Sequence, residues 1–139
     1  MTIAVDFDGV IHRYSLGWHD GTIYDTLMPG ADDALHLLRH LDAVFIHSTR
    51  DPEQIHQWML THSTLRTTTD DTCPNAEKDY DPPCPTSCSR CEGTGRVIFW
   101  NNRDTLLITP RKLPAVAYVD DRAVRFTNWP DTLKEIFAP

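Results

Sequence analysis

Residues 1–9 read MTIAVDFDG, and this stretch decides the fold. The apolar run from Ile3 to Val5 is typical of a buried strand, and polarity reverses at Asp6 and Asp8. Two carboxylates directly after a buried strand are costly unless a partner compensates their charge. In open α/β sheets, ligands bind at the carboxyl ends of the strands. The stretch therefore predicts a buried strand that presents two acids to a hard cation, with a tight turn at Gly9.

Two later apolar runs end in polar residues in the same way. Val44–Ile46 is followed by the sequence HSTR at 47–50, and Val116–Val119 is followed by Asp120-Asp121. The first motif alone is also compatible with an acidic strand end that merely begins a loop, because short motifs are weakly specific. Strands with polar ends in three places, however, predict an α/β fold whose parallel strands gather these residues at one edge of a sheet.

The motifs together resemble the four motifs of the haloacid dehalogenase (HAD) superfamily of phosphotransferases. In chain order, they are Asp6-x-Asp8-Gly9, Ser48, Lys112 and Asp120-Asp121. The resemblance covers most of the chain and leaves a middle insertion aside; residues 112–126 are also similar to the end of small HAD-like proteins of bacteria and phages. It implies a single domain over residues 1–139, built as a Rossmann-like three-layer sandwich with a central, mostly parallel sheet and a minimal cap.

The resemblance also implies an activity, the Mg²⁺-dependent hydrolysis of a phosphate monoester through an aspartyl-phosphate intermediate. Asp6 would be the nucleophile and a metal ligand. Asp8 would be the general acid and base, and its backbone carbonyl would hold the metal. Asp120 and Asp121 would supply further Mg²⁺ ligands, and the sequence does not rank one above the other. The acid two residues after the nucleophile favours phosphatase chemistry over dehalogenation.

Binding of the phosphoryl group is implied for a second set of residues. Ser48 would donate a hydrogen bond to a phosphoryl oxygen, and Lys112 would neutralise the phosphate charge. The remaining substrate-binding residues would be Gly9, Thr49 and Arg50. The implied substrate is a phosphorylated small molecule or a nucleotide, bound in an open site.

Two other functions stay open as alternatives. A module of the polynucleotide 3′-phosphatase type would process nucleic-acid ends, and it would prefer 3′-phosphorylated oligonucleotides over mononucleotides. A non-catalytic HAD-fold binding module would engage nucleic acid or protein through the cysteine-rich insertion, without turnover. The complete set of motif residues favours an enzyme over the binding module.

Residues 10–24 contain two β-prone runs around a turn with glycine and aspartate, which predicts a hairpin. In the resembled family a flap follows the first motif and covers the active site, and the resemblance implies that His12, Arg13 and Trp18 would contact the leaving group there. An interpretation of equal weight is that Trp18 only packs the hairpin onto the domain.

Helices are predicted after Pro29, after Asp51 as an N-cap, and over residues 131–137. The last of these helices is expected to pack Leu133, Ile136 and Phe137. A strand is also predicted at 97–100.

All four cysteines lie in residues 67–97, a segment too poor in apolar residues to order itself. The C-x-x-C-x-G-x-G motif at 88–95 resembles one half of the cysteine-rich zinc repeats of DnaJ-type chaperones. This motif supplies two thiolates, Cys88 and Cys91. A structural four-thiolate Zn²⁺ site would be completed by Cys73 and Cys84. Disulfides and free thiols are the alternatives. Such an insertion can be a lid, a dimer contact or a binding platform.

Composition narrows the protein class. The formal net charge of −7 argues against broad binding to nucleic acid, which depends on a basic surface. The sequence has no apolar run near the about 20 residues that cross a bilayer and no basic segment leading into one, so we expect no membrane partner and a cytoplasmic protein.

Overall fold

The computed structural model describes residues 2–96 and 103–138, and within them the chain is an α/β protein. The strands are β1 (Thr2–Val5), β2 (Ala43–His47), β3 (Arg66–Thr68), β4 (Thr105–Thr109) and β5 (Ala117–Val119). The helices are α1 (Ala31–Leu41), α2 (Pro52–His62) and α3 (Trp129–Phe137). The strands form one open sheet in the order β3-β4-β2-β1-β5, and all its pairs are parallel.

The register of the central strands aligns their carboxyl ends. Val5, the last residue of β1, lies beside Ile46 of β2 on one side and beside Val119 of β5 on the other. The ladder continues for one residue past β1, because the Asp6 amide donates to the Val119 carbonyl at 2.9 Å. The predicted polar residues that follow these strands therefore emerge together at one edge of the sheet.

The larger core lies on one face of the sheet, where α1 and α2 pack. Its strand residues alternate along β1, β2 and β4, as a pleated strand requires. The strand residues are Ile3, Val5, Val44, Ile46, Leu106 and Ile108, and the helical residues are Leu35, Ile55, Trp58 and Met59. Burial of these side chains contributes about 1.5–3 kcal/mol for each large one.

The opposite face carries a smaller cluster. Ala4, Phe45 and Leu107 are its buried residues, and Leu113 and Ala115 pack against them. In the described part of the chain, this face is thus covered by the coil around 113–115. Because α1 and α2 share the other face, the predicted three-layer arrangement is not seen in residues 2–96 and 103–138.

The beginning of α2 follows the predicted local chemistry. Asp51 precedes the helix, and its side chain accepts a hydrogen bond from the Glu53 amide at 3.1 Å. Pro52 occupies the first turn, where its missing amide hydrogen costs nothing. The predicted N-cap at Asp51 is confirmed.

Helix α3 differs from the prediction. Leu133, Ile136 and Phe137 are 46 %, 59 % and 79 % exposed, so the prediction that they pack is wrong. The neighbouring strand β5 is an edge strand whose residues are themselves exposed. Amphipathic spacing identifies the apolar side of a helix but does not guarantee a surface for it to meet.

Two further predictions need correction. Residues 10–24 do not form a hairpin of two strands; they form turns with isolated bridges, among them His12 with Leu27. Thr67 and Thr68 belong to β3, which pairs with β4, so the cysteine-rich segment begins after them. The strand predicted at 97–100 lies outside the described residues. None of the helices in the described ranges has the length and apolar character to cross a bilayer.

Candidate functional site

A cleft of about 350 Å³ lies at the edge where β1, β2 and β5 end. Its lining residues come from segments far apart in the chain. They are Asp6, Asp8, Tyr14, Trp18, His47, Ser48, Thr49, Asp120, Asp121 and Arg122. The cleft is therefore lined by five of the residues predicted from the motifs, together with Thr49, and by two aromatic side chains from the loop after β1.

Three acids converge in this cleft. Carboxylate oxygens of Asp6, Asp120 and Asp121 lie within 4.8 Å of one another. Asp6 is half-buried, and its Oδ1 also accepts a hydrogen bond from the Phe7 amide at 2.8 Å. Burial raises the pKa of Asp6, and repulsion by Asp120, Asp121 and Asp8 adds to the increase. The cluster thus concentrates negative charge that a cation would stabilise.

The perturbed Asp6 carboxyl makes the stability of the Mg²⁺-free protein depend on pH. Because its pKa is raised on folding, its contribution is present below the ordinary carboxyl range and is lost as pH rises through the raised pKa. We expect Asp6→Asn to melt about 1–3 °C above the native chain near pH 7, since the group is half-exposed and the effect is screened. The difference should shrink toward about pH 4.

Melting curves in Mg²⁺-free buffer that retains zinc measure this difference. Equal melting temperatures for both chains across the whole pH range would mean that neither burial nor repulsion disfavours the ionised form of Asp6.

Gly9 allows the acidic loop to approach the turn after β1. Its φ of 81° lies in the left-handed region, and a Cβ at this position would clash with Oδ2 of Asp121. A side chain at position 9 would therefore displace one of the three clustered carboxylates.

Replacement of Gly9 by alanine is expected to harm both folding and cation binding. The left-handed backbone costs about 1–2 kcal/mol for a residue with a Cβ, and the contact with Asp121 adds to that cost. Gly17→Ala is the matched control, because Gly17 has a φ of 66° but no neighbour within 4 Å of the added Cβ. Both variants should melt at lower temperature, and only Gly9→Ala should bind Mg²⁺ more weakly in a calorimetric titration. Equal Mg²⁺ affinities would contradict the placement of Asp121.

Asp8 differs from the other acids because both its carboxylate oxygens already have donors. Oδ1 lies 2.9 Å from His12 Nδ1, and Oδ2 accepts from Arg50 Nε at 2.6 Å. The Asp25 amide donates to His12 Nε2 at 3.0 Å, so Nδ1 carries the proton and donates to Asp8. The completely buried His12 thus fixes the orientation of the Asp8 carboxylate.

A tight turn brings His12 to Asp8. The Phe7 carbonyl accepts from the amides of Ile11 and His12 at 2.9 Å, which folds the chain back by one turn directly after β1. The i and i+4 side chains at positions 8 and 12 therefore meet on one side of that turn.

Arg50 connects Asp8 to the loop at 14–24. Only 3 % of its side chain is exposed, and besides Asp8 it donates from Nη1 to the Gly21 carbonyl at 2.7 Å. Its guanidinium carbon lies 4.4 Å from the ring centroid of Trp18. Nη2 is buried without a hydrogen-bond partner.

The other predicted phosphate-binding residues are placed as follows. Ser48 is buried, its Oγ accepts from the Arg50 amide at 3.2 Å, and both it and Thr49 line the cleft. Lys112 is not among the lining residues; its ammonium lies 5.4 Å from the ring centroid of Tyr118. The Arg122 side chain, which follows the acidic pair, lines the cleft and brings a positive charge to it in place of Lys112.

The four cysteines form a second cluster, which is remote in sequence from the ends of β1, β2 and β5. Their sulfur atoms all lie within 4.8 Å of one another, and the Sγ atoms of Cys73 and Cys88 are 3.8 Å apart. Thiolates bound to one Zn²⁺ at about 2.3 Å in a tetrahedron stand about 3.8 Å apart. None of the four forms a disulfide; Cys73, Cys84 and Cys91 are buried and Cys88 is half-buried. The cluster is compatible with a structural metal such as zinc.

The electrostatics of the cysteine cluster favour a cation as well. The backbone amides of Arg90 and Cys91 lower the pKa of the Cys88 thiol to about 6. Burial raises the pKa of Cys84 to about 12, with Cys91 and Cys73 adding to the increase. The backbone amides of Arg90 and Cys91 thus already stabilise the Cys88 thiolate, and a bound divalent cation would stabilise the other three thiolates.

Comparisons of the chain with protein-family models, with curated proteins and with solved structures gave no match. The residues of the two clusters themselves carry the functional argument.

Sequence reasoning did not single out Tyr14, His47 or Arg122 as cleft residues. His47 and Arg122 flank residues that the motifs did identify, and this adjacency was the available signal. The sequence gives no such signal for Tyr14, because its position depends on the turns of residues 10–24.

Proposed function

We propose that this protein is a phosphate-monoester hydrolase of the HAD type, which uses Mg²⁺ and an aspartyl-phosphate intermediate on Asp6. The observation that carries the proposal is the convergence of Asp6, Asp8, Ser48 and the Asp120-Asp121 pair in one cleft. These residues follow three adjacent strands in the order β2-β1-β5. Nucleophile, acid/base and phosphate-binding groups are the parts that such a reaction needs.

The acid cluster fits Mg²⁺ by its chemistry and its spacing. Mg²⁺ binds carboxylate oxygens and water in an octahedron at about 2.0–2.1 Å, so its ligand atoms stand about 3–4 Å apart. The oxygens of Asp6, Asp120 and Asp121 lie within 4.8 Å of one another, which a small adjustment brings into that range. When bound, the ion would offset the negative charge that otherwise repels a phosphate dianion.

In the first half of the reaction, an Asp6 oxygen attacks phosphorus. The bond from phosphorus to the leaving oxygen breaks, its electron pair stays on that oxygen, and Asp8 supplies a proton to it. Because Asp8 accepts hydrogen bonds at both oxygens, it has to receive that proton first. A phosphate monoester monoanion, with a pKa of about 6, can bring it.

In the second half, water attacks the phosphorus of the aspartyl phosphate. Asp8 takes a proton from this water, the bond between phosphorus and the Asp6 oxygen breaks, and inorganic phosphate leaves. The hydrogen bonds from His12 and Arg50 hold the Asp8 carboxylate in one orientation for this step. Ser48 donates to a phosphoryl oxygen, and Arg122 takes the neutralising position at the cleft that the motif resemblance gives to Lys112.

For the cysteine cluster, we propose a structural Zn²⁺ ion. Four thiolates in a closed tetrahedral set leave no position for a substrate, so the ion would order the insertion and not take part in the reaction. The observation behind this assignment is the sulfur spacing of the four cysteines.

The experiment that tests the activity measures inorganic phosphate released from a panel of phosphate monoesters. The panel includes sugar phosphates, nucleotides and a 3′-phosphorylated oligonucleotide, each with and without Mg²⁺. We expect zinc-loaded protein that has been dialysed free of Mg²⁺ to release no phosphate. Turnover should return when Mg²⁺ is added back. Absence of release from every ester, in folded protein with Mg²⁺, would refute the proposal and favour a binding module.

A further inference from the structure

We propose that Trp18 is a stacking platform for a nucleobase, so that the phosphate hydrolysed at Asp6 belongs to a nucleotide. This inference rests on the proposed function, which it deepens by naming the substrate class. A free nucleoside monophosphate and the phosphorylated end of an oligonucleotide share the relevant chemistry, a planar base close to a phosphate.

The first supporting observation is the exposure of Trp18. The residue is 57 % exposed although it lines the same cleft as the acids and Ser48. An indole is among the largest apolar surfaces that a side chain offers, and leaving it in water forgoes the free energy of its burial. Aromatic side chains beside a few well-placed polar groups are typical of sites that bind small molecules.

The second observation is that this exposed ring is held in place. The buried Arg50 guanidinium lies at 4.4 Å from the ring centroid, and a cation–π contact is strongest when the cation is desolvated in this way. A Cβ added at Gly21 would lie 3.1 Å from the Trp18 ring, so the backbone of residue 21 closely borders it as well. A ring fixed before the ligand arrives loses little conformational freedom on binding.

The third observation joins the ring to the catalytic acid. Arg50 binds Asp8 through Nε, donates to Gly21 through Nη1 and stacks on Trp18, while its Nη2 is buried without a partner. A buried donor without a partner is destabilising, so the guanidinium is not positioned for hydrogen bonding alone. Its position fixes the ring relative to the carboxylate that would protonate the leaving oxygen.

The size and the second aromatic residue of the cleft agree with a nucleotide. Tyr14 lines the cleft together with Trp18, and the volume of about 350 Å³ is at the small end of ligand pockets. A single nucleotide unit therefore suits the cleft better than a large substrate does.

The test compares kcat/KM for a nucleoside 5′-monophosphate, a nucleoside 3′-monophosphate, a 3′-phosphorylated oligonucleotide and ribose 5-phosphate, which lacks a base. Base–aromatic stacking predicts that Trp18→Ala lowers the ratio of nucleotide to ribose 5-phosphate kcat/KM by about 5- to 150-fold, mainly through KM. Trp18→Phe should restore most of the ratio. Trp129→Ala is the matched control, because Trp129 is 65 % exposed and does not line the cleft.

The nucleotide arms distinguish the two sources of the base, since the form with the higher kcat/KM is the one that the cleft accepts better. An unchanged ratio in folded Trp18→Ala, or native protein that does not prefer nucleotides, would overturn the inference while leaving the phosphatase proposal intact.

A separate calorimetric measurement uses the Asp6→Asn chain and a nucleoside monophosphate with Mg²⁺. The same titration is repeated after Trp18→Ala is added to that chain. If the native protein releases no phosphate but Trp18→Ala still weakens nucleotide binding, the phosphatase proposal fails and the stacking site stands. Binding that is equal with and without Trp18 would overturn the stacking site.

Discussion

Asp6→Asn should lower the rate of Mg²⁺-dependent phosphate release by at least about 10⁴-fold, because a carboxamide cannot form the covalent intermediate. The side chain keeps its size, and its amide oxygen can still accept from the Phe7 amide that now contacts Asp6 at 2.8 Å. The loss should therefore appear in kcat with the fold intact. Phosphate release and circular dichroism of the same preparation measure the two separately.

The control for Asp6→Asn is the same change at Asp33, an acid in the first turn of α1. Asp33→Asn is expected to leave phosphate release unchanged within about twofold, since exposed charges away from a site have small effects. Asp8→Asn adds a positive result with an aryl phosphate, whose leaving group departs without a proton from Asp8, because slow hydrolysis of the intermediate should then let phosphorylated protein accumulate. Mass spectrometry after an acid quench would find that phosphoryl group on the peptide with Asp6. Turnover by Asp6→Asn at the native rate would exclude Asp6 as the nucleophile.

Loss of one cysteine should remove the metal and unfold the insertion without unfolding the sheet. Cys84→Ser replaces a buried sulfur with a hydroxyl that binds zinc poorly, so we expect the zinc content to fall from about one ion per chain to below about 0.1. Structural zinc contributes about 10 kcal/mol or more to the folding of small metal-binding segments. Cleavage by trypsin at the exposed Lys78 and Arg90 should accelerate at least about tenfold.

Ser89→Ala is the matched control for Cys84→Ser. Ser89 is exposed and lies between two of the cysteines, but its side chain is not part of the sulfur cluster. Native zinc content in Cys84→Ser, or trypsin resistance equal to that of Ser89→Ala, would contradict a four-cysteine metal site. Zinc analysis and the time course of proteolysis decide between these outcomes.

The strands that carry the candidate site could be predicted because each is a short apolar run with an abrupt polar end. Val5 followed by Asp6 and Val119 followed by Asp120 are such ends, and the parallel register places them side by side.

The contacts of Asp8 and the layers of the fold could not be predicted in the same way. Arg50 reaches Asp8 across 42 positions of sequence, and no periodicity encodes which long side chain bends back to a given carboxylate. The apolar spacing of α1 and α2 likewise identifies their buried sides, but not that both cover the same face of the sheet. These features depend on tertiary packing, which a local pattern does not contain.

The ends of the cysteine-rich segment meet in space, so the segment leaves the rest of the chain and returns to it at one place. Thr72 and Arg96 form an antiparallel bridge, and the Cys73 amide donates to the Gly95 carbonyl at 2.8 Å. A unit that leaves the chain and returns at the same place can be gained, lost or exchanged between proteins while its neighbours β3 and β4 keep their register. If the cysteines hold the Zn²⁺ ion that we propose, residues 72–96 grafted into another surface loop should become ordered only when zinc is added.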